Sequence, residues 1–230
     1  MPMMILVRHG RTEANARGVL AGRSKGVHLD DVGRTQAAAV AERLGAIPLA
    51  AIVTSPMERT QETARVIARA QEGDVGVRRD RRLTEWDYGE WTGRPIKDLA
   101  RLKLWKTVQS HPSGVVFPGG ESMVAMQSRA IAGARAWDTA VAQSHGPDAC
   151  FVVVSHGDVI KSIVADATGM HLDQFQRLVV APASVSVIEY AEQRPVVLHV
   201  NDSGSDLRGL VRAKPRRRRK SGEATVGGGA

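Results

Sequence analysis

The chain opens with a short apolar run, residues 3–7, that leads without a break into Arg8, His9 and Gly10. Five consecutive apolar residues are typical of a strand that is buried on both faces of a sheet. Open α/β sheets carry their chemistry at the edge where strands end and loops begin. A histidine at that edge, beside an arginine and before a residue without a side chain, suits attack on a phosphoryl group.

Strand-like apolar runs alternate with helical patterns along most of the chain. Helical spacing is clearest in Ala37, Val40, Ala41 and Leu44, where Gly45 ends the pattern. The predicted strands are residues 3–7, 49–54, 75–82, 150–155, 185–190 and 196–200, and the other predicted helices are 60–68, 96–108, 123–141 and 160–167. This alternation predicts an α/β fold, a three-layer α/β/α sandwich with a mostly parallel sheet.

The net charge of +8 is concentrated near the end of the chain. Six of these charges come from Lys214, Lys220 and the four arginines at 216–219, and the remaining residues sum to +2. Residues 214–230 are too polar to form a core, so they are predicted to be a disordered tail that follows a single domain, residues 1–213. Contact of this tail with nucleic acid is expected to be weak and non-specific.

Cysteine usage and hydropathy indicate the compartment. Cys150 is the single cysteine, which excludes an internal disulfide and fits a reducing environment. The apolar start runs directly into Arg8 and His9, so no signal peptide is expected. No run approaches the ~20 apolar residues of a membrane-spanning helix. We therefore expect a cytoplasmic protein without a membrane partner.

Polar residues follow apolar runs at four places along the chain. These places are Arg8-His9-Gly10, Ser55 to Thr60, the loop that contains Glu85, and Ser155-His156-Gly157. The carboxyl ends of parallel strands share one edge of a sheet, so these residues are expected to converge. Arginines offer forked donors to phosphate oxygens, and helices that start near Arg59 and Gly157 would direct their positive ends at the same anion. No His or Cys spacing indicates a metal site.

Five segments carry short motifs in a fixed order. They are Leu6-Val7-Arg8-His9-Gly10 with Thr12 and Asn15; Ser55-Pro56 with Arg59-Thr60 and Thr63-Ala64; Leu83, Glu85, Gly89, Trp91 and Gly93; Pro118-Gly119-Gly120-Glu121-Ser122; and Ser155-His156-Gly157. Together they resemble the histidine phosphatase superfamily, the phosphoglycerate-mutase-like enzymes, from residue 3 to about residue 200. The resemblance implies a phosphoglycerate-mutase-like fold for the domain.

The resemblance also implies roles for particular residues. His9 becomes phosphorylated, Glu85 donates a proton, and Arg8, Asn15, Arg59 and His156 form the phosphate pocket, with no metal ion and no cofactor. From chemistry alone, Asp87 and Glu90 compete with Glu85, and Asn15 also fits a turn or helix cap. A carboxylate near two arginines should have a lowered pKa, so an acid at neutral pH requires burial or the negative charge of the substrate.

The residues after Glu85 favour a phosphomonoesterase. Trp86-Asp87-Tyr88-Gly89 stands where phosphoglycerate mutases of this family carry Arg-His-Tyr-Gly, whose cations help to hold the substrate carboxylate. Asp87 would repel that carboxylate, and the segment between Glu85 and Pro118 is short for a lid that excludes water from phosphohistidine. A phosphomutase with the same intermediate is the alternative, and a non-catalytic phosphate-binding or regulatory module is the second. The expected partner is a small phosphorylated metabolite, and a homo-oligomer is compatible with the sequence.

Removal of residues 214–230 is expected to leave turnover nearly unchanged, because all motif-bearing segments precede them. The measurement compares kcat/KM of the shortened and full-length chains with p-nitrophenyl phosphate. A large loss of activity would show that the tail helps to form the site.

Overall fold

The computed structural model describes residues 1–204 of the chain. The predicted tail, 214–230, and the end of the predicted domain lie outside the described residues. None of the helices within residues 1–204 is both long and apolar enough to cross a bilayer.

Within residues 1–204, six strands form one sheet. They are β1 (Met3–Arg8), β2 (Leu49–Thr54), β3 (Val77–Arg79), β4 (Cys150–Ser155), β5 (Val185–Tyr190) and β6 (Pro195–Asp202). Their order across the sheet is β3-β2-β4-β1-β5-β6. The four strands from β3 to β1 are parallel, and β5 and β6 continue the sheet with antiparallel pairing. The prediction of an α/β fold with a mostly parallel sheet is confirmed.

Helices cover both faces of the sheet. They are α1 (Glu13–Ala16), α2 (Asp31–Gly45), α3 (Glu58–Arg69), α4 (Ile96–Leu99), α5 (Lys103–Ser110), α6 (Met123–His145) and α7 (Gly157–Ala167). Ile5 and Val7 of β1 belong to the apolar core that includes residues of α2 and α3, whereas Met4 and Leu6 belong to the core on the α6 and α7 side. This alternation buries β1 on both faces, which explains its continuous apolar sequence.

Three segments differ from their predicted secondary structure. The strand predicted at 75–82 is shortened to β3, Val77–Arg79, and a short helical turn, Arg81–Leu83, follows it. The helix predicted at 96–108 is divided into α4 and α5, because Leu102 between them adopts an extended backbone and packs against the core. The predicted loop at 11–29 contains α1, a single helical turn that begins with a capping box between Thr12 and Asn15. None of these changes moves the ends of the central strands.

The turn after β1 packs against the start of α2 without space for side chains. A Cβ atom at Gly10 would lie 2.4 Å from the carbonyl oxygen of Gly33, and one at Gly33 would lie 1.9 Å from that of Arg11. Such distances exclude any larger residue without movement of the backbone. This packing fixes the backbone that follows His9.

Candidate active site

Four of the residues named from the sequence lie side by side at the carboxyl edge of the parallel strands. His9 follows β1, Arg59 lies in the first turn of α3, and His156 caps the start of α7. Glu85 follows the short helical turn Arg81–Leu83, which comes after β3. The register of β1 and β4 places Arg8 opposite Ser155, so the two histidines leave the sheet at the same level. Each of the four side chains is buried.

The hydrogen bonds of His9 determine which ring nitrogen is free to react. Its Nδ1 lies 2.7 Å from the carbonyl oxygen of Gly10, which can only accept a hydrogen bond, so Nδ1 carries the proton. Its Nε2 receives the Nε–H of Arg59 at 3.3 Å and is therefore unprotonated. Burial, followed by the charges of Arg59 and Arg8, holds the pKa of His9 well below its usual value. The neutral ring thus presents a lone pair on Nε2.

Arg59 is the cation at the centre of the cluster. Its Nη2 donates to the carbonyl oxygen of Gly22 at 2.8 Å and contacts Nδ1 of His156 at 3.2 Å. Its Nη1 is buried and makes no hydrogen bond to any residue within the described part of the chain. A buried guanidinium N–H without an acceptor is costly, so its position favours an anionic ligand that supplies one.

His156 has the opposite tautomer to His9. Since the Arg59 guanidinium can only donate, Nδ1 of His156 accepts, and Nε2 donates to the Ser55 hydroxyl at 2.8 Å. The ring is fully buried, and burial together with the charge of Arg59 lowers its pKa well below the usual value. Its Nδ1 also lies 3.8 Å from Oε2 of Glu85, which places the second histidine between the guanidinium and the carboxyl group.

Burial decides the protonation of Glu85. The side chain is 5% exposed, and Oε1 accepts the backbone N–H of Trp86 at 2.9 Å. Desolvation, followed by the negative charge of Asp158, raises the pKa of Glu85 to about 7, although Arg59 and Arg8 act in the opposite direction. The two arginines were expected to lower this pKa, and the low polarity of the site outweighs them. A substantial fraction of Glu85 therefore holds a proton at neutral pH.

Arg8 and Asn15 are the other two site residues named from the sequence. Arg8 is buried and donates from Nη1 to the carbonyl oxygen of Val180 at 2.7 Å. Burial lowers the pKa of Arg8 to about 10, and its charge lowers the pKa values of both histidines. Asn15 lines the cavity beside His9, while its amide oxygen accepts from the Thr12 hydroxyl at 2.8 Å. Its NH₂ group is therefore the part of the amide suited to an anion.

Two arginines that the sequence reasoning missed hold the backbone of Glu85. Arg23 donates from Nε to the Glu85 carbonyl oxygen at 2.9 Å, and Arg129 donates from Nη2 to the same oxygen at 3.1 Å. Glu121 joins the two guanidinium groups, with contacts of 2.9 Å to Arg23 and 2.7 Å to Arg129. The three side chains fix the loop that carries the acid. Their contacts span up to 98 residues of chain, and no local pattern signals them.

A second missed group lies behind Glu85. The Tyr88 hydroxyl donates to Oδ2 of Asp158 at 2.8 Å, and Nζ of Lys161 lies 3.6 Å from Oδ1 of the same carboxylate. All three side chains are buried. A sequence signal for this group exists: Asp158 and Lys161 are an acid and a base three residues apart in α7, a helix that is buried on nearly all sides. Asp158 places a fixed negative charge close enough to act on the pKa of Glu85.

No group of three or more His, Cys, Asp or Glu side chains within residues 1–204 is arranged to hold a metal ion. Trp86 and Trp91, which flank the loop acid, belong to the apolar core, where they pack against Phe117. The polar side chains that line the cavity beside His9 are those of Thr12, Asn15, Arg59, Glu85 and Tyr88, together with His9 itself. A guanidinium can bind an anion, an unprotonated imidazole can attack it, and a protonated carboxyl group can supply a proton.

Comparison with known proteins decides the family. The sequence profile of the histidine phosphatase superfamily (branch 1) matches residues 4–203. The chain belongs to this superfamily. This histidine phosphatase is 31% identical over 209 residues to phosphoserine phosphatase 1 of Hydrogenobacter thermophilus, covering 87% of this chain and 92% of the relative. It is 33% identical over 197 residues to the protein named "Probable phosphoglycerate mutase GpmB" of Salmonella choleraesuis, covering 84% and 87%.

Solved structures agree with this assignment. Phosphoserine phosphatase of Entamoeba histolytica, in complex with 3-phosphoglyceric acid, superimposes with a TM-score of 0.75 at 25% identity, covering 88% of this chain and 98% of that one. A mycobacterial glucosyl-3-phosphoglycerate phosphatase gives a TM-score of 0.79 at 24% identity, covering 88% and 100%, and supports the fold. The resemblance drawn from the motif order is confirmed, and the histidine phosphatase is an enzyme whose family implies a small phosphorylated substrate.

Replacement of Asp158 by Asn is expected to lower the pKa of Glu85, because it removes the carboxylate that opposes ionisation of Glu85. The alkaline limb of kcat/KM for a phosphate ester should then move to lower pH, since Glu85 loses its proton earlier. The measurement is a pH–rate profile of Asp158→Asn beside Asp202→Asn, which removes a surface carboxylate paired with Arg43. A folded Asp158→Asn enzyme with an unmoved alkaline limb would contradict the role of Asp158.

Proposed function

We propose that this histidine phosphatase is a metal-independent phosphomonoesterase that acts through a phosphohistidine on His9, with Glu85 as the proton donor. The observation that carries the proposal is the pairing of an unprotonated Nε2 on His9 with the buried guanidinium of Arg59, whose Nη1 has no acceptor within the described residues. A phosphate ester bound there would place its oxygens on Arg59 and its phosphorus against Nε2. The single cysteine supports a location in the cytoplasm.

In the first step, Nε2 of His9 attacks phosphorus and the bond between phosphorus and the ester oxygen breaks. Arg59, with the charge of Arg8 behind it, balances the negative charge on the equatorial oxygens. The proton of Glu85 passes to the departing alkoxide, which leaves as an alcohol. His9 keeps its Nδ1 proton on the Gly10 carbonyl, so the phosphorylated ring is cationic and remains oriented.

In the second step, water attacks phosphorus and the bond between phosphorus and Nε2 breaks. The Glu85 carboxylate accepts the proton that this water loses, which restores the acid for the next turnover. Because the phosphorylated ring keeps its Nδ1 proton, it departs as a neutral imidazole. This is a better leaving group than the imidazolate anion that a ring without that proton would form. Inorganic phosphate and the starting form of His9 are the products of the step.

The substrate's charge changes the hydrogen bonding of the second histidine. In the unliganded site, Nδ1 of His156 accepts from Arg59. A phosphate that takes over the Arg59 N–H groups leaves Nδ1 facing an anion, and a proton on Nδ1 then becomes favourable. His156 would thus become a second donor to phosphate only when substrate is bound.

A phosphomutase is the second candidate, and it is supported by the identity of 33% to the protein named as a phosphoglycerate mutase. Both candidates share the phosphohistidine and differ in its lifetime, because a mutase must protect the intermediate from water. A non-catalytic binding module would form no such intermediate. The intact set of His9, Arg59, Glu85 and His156 supports turnover over mere binding.

Replacement of His9 by Ala is expected to abolish phosphate release, because no other nitrogen occupies the attacking position. Rapid-quench experiments with ³²P-labelled p-nitrophenyl phosphate should give the native enzyme a transient, acid-labile protein label and His9→Ala none. His28→Ala, which changes a half-exposed histidine, serves as the matched control and should retain the label. A label that persists after the substrate is consumed would favour the mutase, and an unchanged label in His9→Ala would refute the proposal.

Replacement of Glu85 by Gln is expected to slow esters of poor leaving groups much more than activated ones. The loss of a general acid costs about 10²–10⁴-fold for an alkyl phosphate, whereas nitrophenolate leaves without a proton. In the native enzyme, kcat/KM for the alkyl ester should also fall above pH about 7 as Glu85 ionises. Equal losses for the two esters in Glu85→Gln would assign the proton donor to another group.

A further inference from the structure

Ser55 carries a buried hydroxyl group that has no role in the two proposed steps. The residue directly follows β2, and its side chain is fully buried. Its Oγ lies 2.8 Å from Nε2 of His156. The backbone N–H of Met57 also points at Oγ, but its distance of 3.4 Å is long for a hydrogen bond. The imidazole is therefore the closer of these two partners.

The backbone of Ser55 is held on both sides, which fixes where its hydroxyl group can lie. Its N–H donates to the carbonyl oxygen of Val154 in β4 at 3.0 Å. Its carbonyl oxygen accepts from the hydroxyl groups of Thr54 at 3.0 Å and Thr60 at 2.9 Å. Since Thr60 lies in the first turn of α3, two strands and a helix meet at Ser55. The ring of His156 thus has a fixed hydrogen-bond acceptor beside it.

His156 has two neutral tautomers, and the contacts of its two ring nitrogens distinguish them. With the proton on Nε2, the ring donates to Ser55, and Nδ1 accepts from Nη2 of Arg59 at 3.2 Å. With the proton on Nδ1, this N–H would face the guanidinium donor and lie near Oε2 of Glu85, which is 3.8 Å from Nδ1. An N–H donor near a carboxyl group favours its ionised form. The tautomer of His156 therefore bears on the proton of Glu85.

The charges around His156 and Glu85 do not depend on Ser55. The charged and titratable groups that act on these two side chains are those of Arg8 and His9 at the end of β1, Arg59 of α3, Tyr88 of the loop, Arg129 of α6, and Asp158 and Lys161 of α7. A serine side chain is uncharged, so its replacement leaves all of these charges in place. A shift in the pKa of Glu85 after such a replacement would therefore report the tautomer of His156 and not a lost charge.

From these contacts we propose that Ser55 is a positioning residue, which keeps the proton of His156 on Nε2 and leaves Nδ1 as an acceptor beside Arg59 and Glu85. The inference rests on the proposed phosphomonoesterase function and adds to it a residue that acts through His156. In the unliganded site, this tautomer directs no N–H at Glu85, so the acid retains its proton. When phosphate occupies Arg59, Nδ1 is the nitrogen that can take up a proton and donate to the anion.

The tautomer can be measured on the full-length enzyme without turnover. Imidazole ¹⁵N spectra, with the signals of His156 assigned by their loss in His156→Gln, should show a proton on Nε2 of the native ring. Ser55→Ala removes the acceptor and should give a population with the proton on Nδ1. Ser162→Ala is the matched control, because it deletes a buried hydroxyl group of α7 that contacts Val159 and Met126, and it should keep the native tautomer.

The pH profile is a second readout, which a merely structural role would not move. For an alkyl phosphate, the alkaline limb of kcat/KM in Ser55→Ala should move to lower pH, because an N–H that faces Glu85 favours loss of its proton. At neutral pH, kcat/KM should fall about 10-fold, which is the effect of roughly one hydrogen bond. Ser55→Thr keeps the hydroxyl group and should restore the native limb, and Ser162→Ala should leave it unmoved.

A second variant covers a failure of Ser55→Ala to fold. Ser55→Cys keeps a side chain of similar size, and its sulfur is a weak acceptor, so the tautomer and the alkaline limb should change in the same direction. A folded variant that loses activity but keeps the native tautomer and the native limb would mark a structural role and overturn the inference.

The outcomes separate the inference from the function beneath it. A changed tautomer together with a moved alkaline limb supports the role of Ser55. An unchanged tautomer and limb in Ser55→Ala, in an enzyme that still forms the transient label from p-nitrophenyl phosphate, overturns that role and leaves the phosphomonoesterase intact. Absence of the label and of phosphate release in the native enzyme overturns both.

Discussion

The hydrogen bond between Nδ1 of His9 and the carbonyl oxygen of Gly10 is the contact on which the site depends. It assigns the ring proton to one nitrogen and leaves the other as a nucleophile beside Arg59. The carbonyl belongs to a backbone that has no space for a Cβ atom, because Gly33 of α2 lies against it. The reactive tautomer is therefore fixed by the packing of a helix against a strand end, before any substrate binds.

Burial sets the charges of the site in opposite directions. It keeps both histidines neutral beside a guanidinium, and it keeps Glu85 partly protonated in spite of two arginines. In water the same groups would adopt the reverse charges, with an ionised carboxylate and partly protonated imidazoles. The buried edge of the sheet thus allows an unprotonated nucleophile, His9, and a protonated acid, Glu85, to coexist at neutral pH.

Periodicity in the sequence predicted the sheet well, since strands buried on both faces have continuous apolar runs that end where polar residues begin. Motif order predicted which residues converge, including Arg59 and His156. The sign of the Glu85 pKa shift could not be predicted, because it depends on how completely the loop is buried. Glu121, near the start of α6, resembles an ordinary helix-end charge, and its link between Arg23 and Arg129 depends on contacts between distant segments.

The place of β1 within the sheet has a consequence for how the chain acquires its shape. β1 pairs on one side with β4 and on the other with β5, which are synthesised about 150 and about 180 residues after it. Such non-local pairing slows folding, and it leaves an apolar segment exposed until its partner strands are available. During synthesis β1 therefore stays unpaired until β4 and β5 have left the ribosome.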